Sequence, residues 1–243
     1  MKVLQVYINN PLRNFNYILY SEKTNEAIIF DPTEINMVLD EVAKHKLQAK
    51  YLLNTHQHFD HIKGNKEFLN LPNTQKITLQ DGEFFELSAT EKLECRYTPG
   101  HVMDHYCYFL YEHDELVGVI SGDTVFQAGV GNCKNGGDPQ TLYKTIRNIF
   151  LPLDDRIVIY PSHDYFETNL NFALSIEPEN ENTKKYLNKV QDAKSRNEFI
   201  LTTIGEEKLY NPFFRLFCSE FEWRDNLSEK EKFLEIRKLR DNW

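Results

Sequence analysis

Cysteine is scarce in this chain of 243 residues, and the four that occur are scattered without a CxxC pair. Their spacing argues against a disulfide framework and favours reduced thiols in a cytoplasmic setting. Glycine and proline are also few, with ten and nine residues, and no repeat or low-complexity linker is present. The composition is therefore that of an ordinary globular protein.

Positive charge is in short supply as well, because the net charge is −9. Phosphate binding needs a basic face that displaces counterions, so the balance argues against a nucleic-acid partner and an anionic membrane surface. No apolar run is long enough for a membrane span, and Asn9, Asn10 and Arg13 interrupt the first segment. We expect no signal peptide and a cytoplasmic location, while the oligomeric state stays open.

The first two-thirds of the chain has a strand-rich pattern. Short β-branched or aromatic runs bounded by turn residues predict strands at residues 3–8, 17–20, 27–30, 51–53, 93–97, 106–111, 116–120 and 157–160. Helical spacing of apolar residues predicts helices at 32–46 and 139–149. Beyond residue 164 the pattern predicts charged helices at 169–176, 181–197 and 228–241. We therefore expect an α/β domain over residues 1–165 and a helical domain over 166–243.

Three histidines and an aspartate fall within six residues, in the run THQHFDH at residues 55–61. The run directly follows an apolar predicted strand. In an extended segment His56 and His58 project to the same side, because side chains alternate along a strand. Asp60 and His61 follow where the chain turns. This pattern suits two adjacent cations better than one.

Three further candidate ligands follow predicted strands: His101 in TPGH, Asp123 in SGDT and His163 in PSHD. Active sites collect on loops at one end of a rigid sheet. Any one of these residues alone could be a core or capping residue. Together with the run at 55–61 they give five imidazoles and two carboxylates, a set that suits zinc, iron or manganese.

These motifs resemble the metallo-β-lactamase fold superfamily, an αββα sandwich, and the whole chain is similar to the glyoxalase II family of hydroxyacylglutathione hydrolases. The resemblance implies two divalent ions, zinc first, with iron or manganese as alternatives. It implies that one ion is held by His56, His58 and His101. It implies that the other is held by Asp60, His61 and His163, and that Asp123 bridges both.

The C-terminal third carries the narrower resemblance, in HDY at 163–165, NPFFR at 211–215 and RKLRD at 237–241. In that family a tyrosine and two basic residues of the last helix contact glutathione. The matching residues here are Tyr165, Arg237 and Arg240, and a guanidinium can bind a carboxylate bidentately. Without the resemblance, a solvated helix face would explain both arginines. Where the family has a basic and then an aromatic residue, this chain has Asn132 and Lys134 as candidate substrate contacts.

The resemblance implies hydrolysis of a glutathione thioester, such as S-D-lactoylglutathione, by a hydroxide held between the two ions. Asp60 and Asp123 would be the catalytic residues. The alternatives are a persulfide dioxygenase with one iron, another hydrolase of the superfamily such as a lactonase, and a non-catalytic metal-binding protein. We expect His105 to support the site rather than bind metal, and His45 and His113 to be solvated.

Overall fold

The structure is a computed structural model that describes residues 1–243. The chain divides into two compact units that interleave along the sequence. The first unit comprises Met1–Tyr97, Asp104–Gly122 and Pro161–Asp164. The second comprises Thr98–Met103, Asp123–Tyr160 and Tyr165–Trp243. Each unit contains some of the residues that the sequence predicts to bind metal.

A five-stranded sheet forms one layer of the first unit, in the order β1-β2-β3-β4-β5. Its strands are β1 (Lys2–Tyr7), β2 (Phe15–Tyr20), β3 (Glu26–Phe30), β4 (Gln48–Leu53) and β5 (Gln75–Lys76). The first three are antiparallel, and β3, β4 and β5 run parallel. Helix α1 (Ile35–Lys44) provides the crossover that the parallel β3–β4 pair needs. Its buried Ile35, Val38 and Val42 pack against the apolar face of this sheet.

The predicted helix at 32–46 is shorter in the structure because its first residues are held outside the helix. Thr33 donates its backbone N–H to Asn16 Oδ1 at 2.9 Å, and Thr33 Oγ1 donates to the Asp60 carbonyl at 2.6 Å. Two short helices, α2 (Phe59–Ile62) and α3 (Asn65–Leu69), follow β4. Helix α2 therefore begins inside the histidine-rich run.

A second, antiparallel sheet faces the first within the same unit. Its strands β6 (Phe84–Ser88), β7 (Glu91–Tyr97), β8 (Tyr106–Glu112) and β9 (Glu115–Gly122) pair in sequence order. Aromatic pairs join the layers: Phe30 and Tyr108 have ring centroids 5.2 Å apart, and Tyr51 and Phe85 4.9 Å apart. The first unit is thus a two-sheet sandwich with α1 on an outer face.

The second unit is mainly helical. It contains the hairpin β10 (Val125–Phe126) and β11 (Gly129–Val130). It also contains all but the last residue of β12 (Val158–Pro161), which pairs with β13 (Thr202–Thr203). Helix α4 (Pro139–Thr145) continues as a π-helical turn over Ile146–Phe150. The remaining helices are α5 (Phe166–Ile176), α6 (Glu181–Ser195), α7 (Ile204–Tyr210), α8 (Pro212–Arg215) and α9 (Glu229–Asp241). None of the helices combines the length and apolar character needed to cross a bilayer.

Helix α9 begins with a capping box. The Ser228 hydroxyl accepts from the Glu231 backbone N–H, and the Glu231 carboxylate accepts from the Ser228 backbone N–H at 2.9 Å. Two backbone N–H groups that have no partner within the helix are thereby hydrogen-bonded. The cap fixes the start of the helix that carries Arg237 and Arg240.

Candidate functional site

In the first unit, one carboxylate oxygen and two imidazole nitrogens face a common point. Asp60 Oδ2 lies 3.4 Å from His61 Nε2 and 3.5 Å from His163 Nε2. The ligand atoms of these three residues all lie within 4.8 Å of one another. Helix α2 carries Asp60 and His61, and His163 follows β12. Two segments that are about 100 residues apart therefore supply one cluster of metal-ligating groups.

The other ring nitrogen of each histidine, Nδ1, is hydrogen-bonded to an oxygen acceptor. His61 Nδ1 lies 2.9 Å from Asp31 Oδ2, and His163 Nδ1 lies 2.8 Å from the Leu12 carbonyl oxygen. Because neither oxygen has a hydrogen to donate, each Nδ1 carries the proton and Nε2 presents the lone pair. Metal-binding histidines have this arrangement, which fixes the tautomer and raises the basicity of the ligand nitrogen.

Asp60 is held as an anion that accepts hydrogen bonds. Burial alone would raise the pKa of its carboxyl, but a second proton on His61, at Nε2, opposes this through a hydrogen bond and a positive charge. The Asn14 side chain also donates to Asp60 Oδ2 at 2.9 Å, and a second proton on His163 adds a further favourable charge. These interactions outweigh burial and hold the pKa of Asp60 well below its ordinary value.

Asp31, which no sequence motif indicated, is hydrogen-bonded to the histidine-rich run. It is 3% exposed, and its carboxylate accepts from Thr55 N at 2.8 Å, from Thr55 Oγ1 at 2.6 Å and from His61 Nδ1. It directly follows the apolar strand β3, just as the predicted ligands follow their strands. That position could have identified it. Asp31 orients His61 and the start of the histidine-rich run.

His56 and His58 bring two ring nitrogens together, with His56 Nε2 and His58 Nδ1 2.9 Å apart. The hydroxyl of Thr55 donates its hydrogen to Asp31, so it accepts from His56 Nδ1 at 3.0 Å. This leaves Nε2 as the lone-pair nitrogen of His56. His105 is fully buried and stacks on His56 with ring centroids 5.0 Å apart.

The stacking of His105 requires a glycine next to it. A Cβ at Gly122, whose φ is +53°, would lie 2.6 Å from His105 Nε2. His105 therefore supports the ring of His56, as expected. His45 and His113 are exposed, which confirms that they are solvated.

In the second unit, His101 and Asp123 form a pair. His101 Nε2 lies 3.4 Å from Asp123 Oδ2, and His101 Nδ1 lies 2.6 Å from the Asn132 carbonyl oxygen. His101 thus has the same tautomer as His61 and His163. Imidazole nitrogens held in this tautomer and buried or half-buried carboxylates, both of which each unit supplies, are donor types that fit divalent zinc, iron or manganese.

Arg240 lies on α9 and is half-buried. Its Nε and Nη2 donate to Asn169 Oδ1 at 3.3 and 3.2 Å, and its guanidinium lies 5.8 Å from the Phe172 ring and 5.6 Å from the Trp243 ring. Burial lowers the pKa of Arg240 from its ordinary value, but a guanidinium is not deprotonated in proteins and the group stays charged. Its hydrogen-bond and ring partners are neutral, while Asp241 also attracts its charge.

The remaining candidate substrate contacts lie in the same unit. Lys134 is exposed, and its Nζ donates to the Asp241 carbonyl at 2.7 Å, while its backbone N–H donates to Asn132 Oδ1 at 3.0 Å. Tyr165 is half-buried, with its ring 5.5 Å from that of Phe126.

Arg237 has a different environment, because its guanidinium is bound to the protein. It is 5% exposed, and its Nη1 donates to the Val130 and Gly131 carbonyls at 2.9 and 3.1 Å. Its Nη2 donates to Asp241 Oδ1 at 2.9 Å. Arg237 therefore connects α9 to the loop that follows β11.

The relatives of the chain extend over its whole length. It is 34% identical to a hydroxyacylglutathione hydrolase of Polaromonas sp. (strain JS666), with 100% of each chain covered. The chain belongs to the hydroxyacylglutathione hydrolase family. A family profile described as Hydroxyacylglutathione hydrolase C-terminus matches residues 164–243, and one described as Metallo-beta-lactamase superfamily matches residues 13–94. The family predicted from the sequence is therefore confirmed.

Solved structures confirm the predicted fold. ETHE1 from Myxococcus xanthus superimposes with a TM-score of 0.70 at 20% identity, covering 98% of this chain and 90% of that one. TTHA1623, crystallised in a di-iron-bound form, superimposes with a TM-score of 0.62 at 18% identity, covering 86% and 99%. At these identities the likeness shows the metallo-β-lactamase fold and does not extend to activity.

Proposed function

We propose that this protein hydrolyses a glutathione thioester, such as S-D-lactoylglutathione, to a hydroxy acid and free glutathione. The observation that carries the proposal is the Asp60–His61–His163 group, with the outer nitrogen of each histidine bound to an oxygen acceptor. It occurs in a chain that is similar to hydroxyacylglutathione hydrolases over its full length. The match of residues 164–243 to their C-terminal region supports the glutathione part of the proposal.

The proposed centre holds two divalent ions, zinc first, with iron or manganese as alternatives. One set of ligands is His56, His58 and His101. The other set is Asp60, His61 and His163, and Asp123 belongs to both. When bound, such ions polarise a carbonyl group and lower the pKa of a water molecule to near neutrality.

The catalytic roles of the chain's own residues follow from their ionisation and contacts. Asp60 stays ionised, and Asn14 fixes its Oδ2, so it can accept a hydrogen bond from the attacking water and orient it. As the new carbon–oxygen bond forms, the carbon–sulfur bond breaks and sulfur leaves with the electron pair. The leaving thiol has a pKa of about 8.5, so the thiolate departs without a dedicated general acid.

For the glutathione moiety we propose Arg240 as the partner of a carboxylate, with Tyr165, Asn132 and Lys134 as further contacts. Arg237 belongs to this set because it orders the loop that carries Asn132 and Lys134. A guanidinium whose hydrogen-bond partner is a neutral amide gains a charge-assisted pair when a carboxylate binds.

The proposal keeps a metal-binding domain at residues 1–165 and a substrate-binding domain at 166–243. The family match that begins at residue 164 supports this boundary. It also keeps a cytoplasmic location. It includes neither a nucleic acid nor a membrane as a partner, and the net charge of −9 supports the exclusion of these two partners.

An assay that monitors thiol release from S-D-lactoylglutathione tests the function directly. The zinc-loaded protein should cleave it, and the variant His163→Ala should lose at least about 100-fold in kcat/KM because one ligand of the centre is removed. His45→Ala is the matched control, since His45 is exposed and should leave the rate unchanged. Equal rates in His163→Ala and wild type would contradict the proposal.

Two further substrates distinguish the alternatives. Oxygen consumption with glutathione persulfide would identify a dioxygenase, and hydrolysis of a lactone without thioester cleavage would identify a lactonase. Protein prepared without chelator that contains no metal and cleaves none of the three would be a non-catalytic member of the superfamily.

A further inference from the structure

The loop between β1 and β2 reaches the Asp60 carboxylate through two asparagine side chains. Asn10 and Asn14 are hydrogen-bonded to each other, and Asn14 is hydrogen-bonded to Asp60; we call these two side chains the amide relay. We infer that Asn10 and Asn14 are positioning residues for Asp60, and that the backbone fixes the relay so that it presents an N–H donor to this carboxylate. The inference rests on the proposed function, in which Asp60 binds a metal ion.

The backbone fixes the direction of every hydrogen bond in the relay. The Asn14 backbone N–H can only donate, so the atom of Asn10 that faces it at 3.2 Å is the amide oxygen Oδ1. The amide nitrogen of Asn10 then faces Asn14 Oδ1 at 2.8 Å, and the nitrogen of Asn14 is left to donate to Asp60 Oδ2 at 2.9 Å. Reversal of the buried Asn14 amide would place an oxygen against the carboxylate.

The same loop holds His163, the predicted ligand that lies next to Asp60. Asn14 forms an antiparallel β-bridge with His163, and the loop supplies the carbonyl that accepts from His163 Nδ1. The Arg13 carbonyl accepts from the Asp164 backbone N–H at 3.0 Å, and Arg13 Nε donates to the Asp164 carbonyl at 2.9 Å. The loop therefore fixes Asp60 and His163 relative to each other.

The donor from Asn14 acts on the carboxylate oxygen that faces the other ligands. Asp60 Oδ2 lies 3.4 Å from His61 Nε2 and 3.5 Å from His163 Nε2. A carboxylate oxygen has two lone pairs, and Asn14 occupies one of them. It thereby limits rotation of the carboxylate and leaves the second lone pair of Oδ2 for an ion. An oxygen in place of this donor would repel the carboxylate.

Asn10→Asp should reverse the relay without changing any residue of the proposed metal centre. The new carboxylate keeps one oxygen against the Asn14 backbone N–H but presents its other oxygen to the Asn14 side chain, which must then turn its nitrogen away from Asp60. We expect zinc affinity to fall about 10- to 100-fold, as for the loss of other outer contacts to a metal ligand. An added negative charge by itself would favour a cation, so a fall in affinity is specific to the reversal.

Asn10→Ala separates this effect from a structural role of the loop. It removes both hydrogen bonds of Asn10, whereas Asn10→Asp keeps the one to the Asn14 backbone N–H. Denaturant unfolding of the metal-free proteins should show Asn10→Ala as the less stable variant, while competition with a chromophoric chelator should show that Asn10→Asp binds zinc more weakly. Asn9→Asp is the matched control, because Asn9 is exposed and the same charge is added outside the relay. It should bind zinc as wild type does.

Two results would overturn the inference: wild-type zinc affinity in Asn10→Asp, or an affinity in Asn10→Ala that is as low as that in Asn10→Asp or lower. If Asn10→Asp does not fold, Asn14→Leu decides by the same assay, because it removes the donor to Asp60. A loss of at least about tenfold then supports the inference, and unchanged affinity contradicts it. Failure of the proposed function is distinguishable, because wild-type protein that binds zinc but releases no thiol from S-D-lactoylglutathione would leave the zinc comparison valid.

Discussion

Replacing Glu207 by glutamine should make the stability of the protein less dependent on pH. Glu207 is fully buried on α7. Its Oε1 accepts from Thr202 Oγ1 at 2.8 Å and Tyr210 OH at 3.0 Å, and its Oε2 accepts from Ala128 N and Asn211 Nδ2, each at 2.8 Å. Burial raises the pKa of Glu207 from 4.5 to about 7, although these four hydrogen bonds oppose the shift.

The sign of the effect follows from the raised pKa. Between pH 4.5 and 7 the folded protein keeps a proton on Glu207 that the unfolded chain has released. This contribution to stability is complete below pH 4.5 and is lost as the pH rises through 7. The difference between 4.5 and about 7 corresponds to about 3.5 kcal/mol, at about 1.4 kcal/mol per unit.

Glutamine is a close match in shape and can keep all four contacts. Its carbonyl oxygen accepts from Ala128 and Asn211, and its amide donates to the hydroxyls of Thr202 and Tyr210, which can also accept. Denaturant unfolding at pH 5 and pH 8 should show wild type losing about 2–3 kcal/mol more than Glu207→Gln between these values. Glu179→Gln, at an exposed position, should behave as wild type. The same pH dependence in wild type and Glu207→Gln would refute the reasoning.

Three further predictions concern the proposed site. Asp31→Asn should lower zinc affinity about 10- to 100-fold in a chelator competition, because His61 loses its anionic acceptor; an unchanged affinity would contradict this. In steady-state kinetics, Arg240→Met should raise the KM for S-D-lactoylglutathione at least about tenfold while kcat changes little; an unchanged KM would mean that Arg240 has no ionic role. Gly137→Ala should lower the melting temperature by several degrees, since its Cβ would lie 2.1 Å from the His101 carbonyl oxygen. An unchanged melting temperature would mean that the loop moves to accommodate the added methyl group.

The sequence indicated the main features of the fold because they depend on local patterns and on family resemblance. Apolar runs bounded by turn residues predicted eight strands, and each corresponds to an observed strand within a few residues at its ends. The short helices α2, α3, α7 and α8 were missed, because four to seven residues are too few to show a clear helical period. The family and the fold are confirmed. The assignment of all seven metal ligands stays a prediction.

The contacts around the predicted ligands depend on distant segments, so spacing could not reveal them. Asp31 binds His61 across 30 residues, and Glu207 binds Ala128 across 79. Arg237 binds backbone carbonyls more than 100 residues away, and no side-chain motif records such a partner. The family resemblance suggested a substrate contact for both arginines of α9. Burial and hydrogen bonding separate their environments.

Anomalous scattering from crystals of the zinc-loaded protein, recorded on both sides of the zinc absorption edge, tests the central claim most directly. The account predicts two peaks per chain, one bound by Asp60, His61 and His163 and the other by His56, His58 and His101. Asp123 should contact both. A single peak without Asp123 among its ligands, or peaks away from these seven side chains, would contradict it.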